Sequence, residues 1–247
     1  GEAEPFVEGA GQQVSSWGMR DALRRRTNAK EREEPRMNLE RIHEIAEGEL
    51  LGKRSHSWKE PGNKFHHGER VARIALELRR AIVPEDDSHD EILTAAAWFH
   101  DVCNGVRRHD LLGAERTREL LTGVCTDAEL DEICGIIRVH DDRTRDPSFS
   151  PWVKLHQDAD HLDHFGTYDV WMCILECGAN NLTLPRAAQK LMERNFEELP
   201  PKREELNYEL SRRIFDERVA CSQAFAARFA KESRGEIVGL DVLLREE

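Results

Sequence analysis

The 247 residues, 39% hydrophobic and 34% charged, carry enough apolar content for one sizeable core, which excludes a disulfide-stapled miniprotein, a collagen-like chain and a wholly disordered one. The net charge of −12, from 36 Lys and Arg against 48 Asp and Glu, disfavours general attraction to long nucleic acids or an anionic membrane, yet leaves room for a local basic or metal-bearing pocket that draws a small anion. The longest purely apolar run, Ala95 to Phe99, falls far short of the about 20 residues of a membrane span, and no charged-then-apolar leader is visible, so the chain reads as cytoplasmic.

Residues 1–36 read as a flexible N-terminal extension with no assigned chemistry, and 37–247 as one domain. From Met37 the apolar spacing is helical. Val71, Ile74, Ala75, Leu78 and Ile82 recur along one helix face, and Ile92 to Phe99 is a nearly all-apolar helix. Further helices are predicted over 111–121, 128–139, 152–165, 168–177, 184–196 and 204–229. Breaks come at Pro61-Gly62, Pro84 to Ser88, Gly123, Thr144 to Pro151 and Pro200-Pro201. No stretch alternates with period two for long enough to demand a sheet. The expected fold is an all-α bundle of about eight to ten helices. The six cysteines form no CxxC pair and read as reduced, structural thiols; Cys173 and Cys177, four apart, leave a weaker redox or ligand alternative.

Polar residues at inward positions carry the chemistry. At about 100° per residue, Val71, Ile74 and Leu78 fall within roughly 40° of His67, so its imidazole points where the core residues point. Taken alone, such a histidine is a core residue bonded to a backbone carbonyl. His140 ends a second apolar run, Ile133, Ile136 and Ile137, and His100-Asp101 close the buried helix that ends Ala-Ala-Ala-Trp-Phe. An ionised carboxylate there is costly without a cation. In Gln157-Asp158-Ala159-Asp160-His161-Leu162-Asp163, Leu155 and Leu162 lie within about 60° of Asp158, whereas Asp160 and Asp163 are rotated by roughly 160° and 140°. That arithmetic selects Asp158 as the inward aspartate and leaves the other two for ion pairs, Asp160 with an Arg of a neighbouring helix. His67, His100, Asp101, His140 and Asp158 thus project inward from separate helices of one bundle. One divalent ion (Mn, Fe, Ni, Co, Zn or Mg) satisfies them together, where five unrelated buried polar groups need five separate solutions.

His67-x-x-Arg70-Val71, then Phe99-His100-Asp101, then the Gln157 to Asp163 segment with Gly166, in this order, resemble the HD-domain superfamily of metal-dependent phosphohydrolases, whose pattern is H, HD and D. The resemblance runs from about Met37 to Gly235. It implies an all-α HD-domain bundle with His67, His100, Asp101 and Asp158 as ligands of one metal. His109-Asp-Leu-Leu-Gly113-Ala114-Glu115 further resembles the family's HxxxGAE segment, which makes His109 and His140 either ligands of a second metal or contacts to a substrate phosphate.

The implied activity is attack of a metal-activated water on a phosphate ester or anhydride of a small molecule, most plausibly a nucleotide. Lys64, Arg70, Arg107 and Arg108 are the candidates to hold the remaining phosphate charge, with Arg70 alternatively pairing Asp160 to tie two helices. One departure matters: where the deoxynucleotidase branch has a glutamate three residues after the HD aspartate, this chain has Asn104, which orients water but takes no proton. Asp101 or Glu115 then remains as base. Two alternatives stay open, an HD-type di-iron oxygenase and a non-catalytic metal- or nucleotide-binding module.

Overall fold

In a computed structural model, residues 37–239 are described; the N-terminal extension lies outside them. They form nine α-helices and no strand: α1 Leu39–Leu50, α2 Asn63–Ile82, α3 Asp90–Phe99, α4 His109–Leu121, α5 Asp127–Arg138, α6 Pro151–Asp163, α7 Thr167–Ala179, α8 Leu184–Glu193 and α9 Glu209–Glu232. The helix starts follow local chemistry. Asn38 accepts from Arg41 N–H at the head of α1, Thr126 and Glu129 form a capping box on α5, and Ser150 caps α6 with Pro151 in its first turn.

Helix α3 is buried nearly all round, as its apolar composition requires, and packs on α2 and α5. Contact with α2 is close because residue 68 is glycine: a Cβ there would meet Ala97 O at 2.8 Å. Gly68 therefore sets the separation of the two helices that carry His67 and His100. Helix α6 packs on α2, and every residue from Leu155 to Asp163 is buried although six of the nine are His, Gln or Asp.

Two differences from the predicted elements have physical causes. The helix predicted over 184–196 is α8 followed by one π turn, Arg194–Glu198. The helix predicted over 204–229 is divided: Pro200–Glu205 form a 3₁₀ turn, Leu206 is extended, and α9 begins only at Glu209. The interruption is held by a tertiary contact, since the N–H groups of Asn207 and Tyr208 donate to the Asp158 carboxylate instead of to a preceding turn. Cys173 and Cys177 are free thiols buried against Leu191 and Ala226, and burial pushes the Cys173 thiol up to about 12, as expected of a small core hydrophobe. No described helix is long and apolar enough to cross a membrane.

Candidate metal centre

Helix ends fix the two central imidazoles. His100 follows the last residue of α3, and its Nδ1 donates to Ala97 O at 2.8 Å, capping a free helix carbonyl and turning Nε2 toward the cluster. His67, in the first turn of α2, donates from Nδ1 to Asp163 Oδ2 at 2.7 Å, with the same consequence. The two Nε2 atoms lie 3.1 Å apart, and Asp160 Oδ1 is 3.1 Å from His67 Nε2 and 3.5 Å from His100 Nε2. Asp101 Oδ2 completes the group, 3.5 Å from His100 Nε2 and 3.8 Å from His67 Nε2. Nitrogen atoms of two imidazoles and oxygen atoms of two carboxylates thus converge on one point, an arrangement that a bound cation satisfies. This donor set, two nitrogens and two oxygens without thiolate, suits a divalent metal ion.

The aspartates are not arranged as helical arithmetic suggests. Asp160, not Asp158, faces the cluster. Asp158 accepts from Asn207 N at 2.7 Å, Asn207 Nδ2 at 2.9 Å and Tyr208 N at 3.0 Å, holding the approach to α9, and burial with no cation beside it pushes its carboxyl up. Burial would do the same to Asp160, but His100, His164 and His67 outweigh it and hold that carboxyl well below the usual range. The arithmetic failed because it took one face of α6 as inward, whereas α6 is inward on every face.

The signal that finds Asp160 is the polar stripe itself. His156, Asp160, Asp163 and His164 recur at i, i+4, i+7 and i+8, one face of the helix. Asp160 gives its other oxygen to Arg143 Nη2 at 2.8 Å. Asp163 is gripped by Arg70, Nε to Oδ1 at 2.8 Å and Nη2 to Oδ2 at 2.8 Å, and is held down to about 2: burial raises it, and the bonds from His67 and Arg70 more than reverse the effect. Arg70 also stacks 4.2 Å over Tyr168. It therefore orients the Asp163–His67 pair, a carboxylate–imidazole support typical of metal sites, and is neither spent on substrate nor paired with Asp160.

A second donor group shares Asp101. Asp101 Oδ1 lies 4.0 Å from His109 Nε2, and Asp101, His109 and His140 each place a ligand atom within 4.8 Å of the others. His140 repeats the device of His100, donating from Nδ1 to Ile137 O at 2.7 Å just past the end of α5. Asn104 Nδ2 bonds Asp101 Oδ1 at 3.1 Å. Both groups open into a cleft of about 490 Å³, whose cationic side chains are Lys64, Arg143 and Lys202. Lys64 bonds Asp101 Oδ2 directly.

Other predicted residues lie elsewhere. Arg107 and Arg108 are exposed and do not line the cleft, Arg108 turning back to Asp110 at 3.3 Å; Glu115 is exposed on α4, outside it. Arg143 and Lys202 line the cleft instead. Arg143 follows α5 and Lys202 lies in the 3₁₀ turn before α9, neither within an apolar periodic run, so nothing in the sequence pattern marks them. His156 was likewise unmarked: fully buried, with its ring 5.3 Å from that of His100, it has no hydrogen-bond partner for either nitrogen, and burial pushes it well below its ordinary value.

Solved structures share this helical fold. Known structures with this fold include an HD-superfamily hydrolase from Bacillus thuringiensis, 20% identical, with a TM-score of 0.59 over 80% of this chain and 97% of that one. A predicted HD-superfamily hydrolase from an uncultured Thermotogales bacterium is 22% identical, TM-score 0.53, over 83% and 97%. Bacillus subtilis YpgQ in complex with ADP is 19% identical, TM-score 0.53, over 79% and 97%. These likenesses establish the fold. No family model matches the sequence, and no curated protein matches it.

Proposed function

We propose that the protein is a metal-dependent phosphohydrolase acting on a phosphate ester or anhydride of a small molecule, with a nucleotide as the leading substrate class. The observation that carries this reading is the convergence of His67 and His100 Nε2 with Asp101 and Asp160 beside a cleft that also holds three cationic side chains. His67, His100, Asp101 and Asp160 would hold the ion. Bound there, a divalent ion supplies a water of lowered pKa and polarises a phosphoryl oxygen.

The chain's own residues do the rest. Arg143 and Lys202 bind the phosphate's outer oxygens, and Lys64, which bonds Asp101, neutralises the charge that develops on the leaving side. Asn104 holds Asp101 by its Oδ1, so that the carboxylate accepts the proton of the attacking water in a fixed orientation. Glu115 has no part, because it lies outside the cleft. His109 and His140, with Asp101 beside them, would hold either a second ion or a phosphate oxygen. Bound metal charge, added to Lys64, Arg143 and Lys202, would draw a small anion into the cleft, and the ADP complex of a protein with the same fold supports a nucleotide.

The test is phosphate release from a panel of nucleotides and simple phosphate esters by Mn²⁺-, Co²⁺- or Zn²⁺-loaded protein, alongside His100→Ala and Asp160→Ala. Metal-dependent turnover lost in both variants is the expected result; no turnover by a fully metallated sample refutes it. The carboxylate shared between two donor groups is also what the di-iron oxygenase alternative needs, so iron content and substrate-dependent oxygen uptake distinguish that reading. A metal-loaded protein that binds nucleotides without turning them over is the non-catalytic module.

A further inference from the structure

The HD pattern leaves position 164 unspecified, yet this chain places a histidine there, one helical turn beyond Asp160. We propose that His164 is an additional metal ligand, making the donor set three imidazoles and two carboxylates; this rests on the metal centre described above. His164 Nε2 lies 3.6 Å from Asp160 Oδ1, the same oxygen that faces His67 and His100, and its ring centroid is 4.9 Å from that of His67. His67, Asp160 and His164 each offer a ligand atom within 4.8 Å of the others. Two donors each about 2.1 Å from one ion lie between about 3 and 4.2 Å apart, and the 3.6 Å between His164 Nε2 and Asp160 Oδ1 falls in that range.

The backbone holds His164 in place. It caps α6 with φ −80° and ψ −2°, and the chain then reverses at Gly166, φ +84°, where a Cβ would meet Arg218 Cβ at 3.2 Å; the Arg218 guanidinium in turn bonds Leu162 O. The imidazole is half exposed and forms part of the wall of two cavities, the cleft and a smaller one beside Tyr168. It is bound to no group of the described residues other than Asp160. A ring in that position closes one coordination site from the solvent side, leaving fewer positions for water and substrate. A third imidazole also shifts preference from Mg²⁺ toward Zn²⁺, Co²⁺, Ni²⁺ and Fe²⁺.

Direct metal titration tests this. The chelator-stripped 247-residue chain and His164→Ala are titrated with Co²⁺ and with Mg²⁺, by calorimetry and by the visible absorption of bound Co²⁺, after circular dichroism has confirmed equal helicity. The expected result is at least about tenfold weaker Co²⁺ binding in the variant, a changed Co²⁺ spectrum, and Mg²⁺ affinity altered less than Co²⁺ affinity. Because the position opens into both cavities, added imidazole is expected to return the Co²⁺ spectrum of the variant toward that of the parent. Equal Co²⁺ affinity and an identical spectrum overturn the proposal while leaving the hydrolase reading intact. Weaker affinity with an unchanged spectrum also overturns it, because His164 then acts only through Asp160. A parent chain that binds no Co²⁺ at all refutes this proposal and the metal-dependent reading together.

Discussion

Exchanging the two aspartates of the Asp158-Ala159-Asp160 segment separates stability from metal binding. Asp158→Ala removes an acceptor that serves two backbone N–H groups, of Asn207 and Tyr208, and the Asn207 amide at 2.7 to 3.0 Å. A buried donor left unpaired costs about 1–3 kcal/mol. Because Asn207 and Tyr208 are partly exposed, water recovers some of that loss, and a net cost of about 2–4 kcal/mol is expected for the two backbone groups together. At about 2–4 °C per kcal/mol for a domain of this size, Tm should fall by roughly 5–15 °C. Metal affinity should stay within about threefold, since Asp158 touches none of the converging donors.

Asp160→Ala should do the reverse where metal is concerned. Loss of the oxygen that faces three imidazoles should weaken Zn²⁺ or Co²⁺ binding by at least about 100-fold, more than the 10–100-fold typical of an outer partner. Urea unfolding in chelator and calorimetric metal titration measure both variants. The reasoning fails if Asp158→Ala abolishes metal binding at unchanged stability, or if Asp160→Ala binds metal as the parent does.

Asp163→Asn should weaken metal binding about 10–100-fold without touching a ligand, because it loosens the orientation of His67; titration calorimetry reads it. Arg143→Ala and Lys202→Ala should each raise KM for a nucleotide about tenfold, the worth of one charge-assisted contact, while Arg107→Ala, Arg108→Ala and Glu115→Gln leave kcat/KM within about twofold. Gly68→Ala, with Ala97 O only 2.8 Å from the new Cβ, should cost about 1–3 kcal/mol in urea unfolding and weaken metal binding by separating His67 from His100. In chelator, stability should fall as pH drops from 6.5 towards 4. Burial depresses His161 to about 4, so over that window the unfolded chain takes up a proton that the folded chain refuses, contributing up to about 3 kcal/mol. His140 and His156, also depressed by burial, act in the same direction, and a flat profile between pH 7 and 4.5 refutes the assignment.

Most of the fold was legible because its helices declare themselves by apolar period and by punctuation. Val71, Ile74, Ala75 and Leu78 mark α2, the Ala95–Phe99 run marks a helix with no exposed face, and the breaks at Pro61-Gly62 and Gly123 lie between observed helices. What was not legible depends on partners distant in sequence. Nothing local near Leu206 forbids helix; the start of α9 is displaced to Glu209 because Asn207 and Tyr208 donate to a carboxylate some fifty residues earlier.

The site divides along the same line. His67, His100 and Asp101 were legible because each sits on or at the end of an apolar stripe that has one inward side, and the geometry of a helix then determines where the side chain points. Asp160 was not, because that inference needs an exposed side to contrast with the buried one, and α6 has none from Leu155 to Asp163. In a helix surrounded by protein the apolar residues show only that it is buried, and the polar residues carry the directional information. His156, Asp160, Asp163 and His164 share one face, and that face meets His67 and His100. A fully buried helix with a polar stripe must satisfy the stripe internally, so the stripe points to whatever cation, donor or partner imidazole completes it. Arg143 and Lys202 fall outside even this rule. Their place in the cleft is decided by how the loops after α5 and α8 fold back over α6, a consequence of tertiary packing that no helical period encodes.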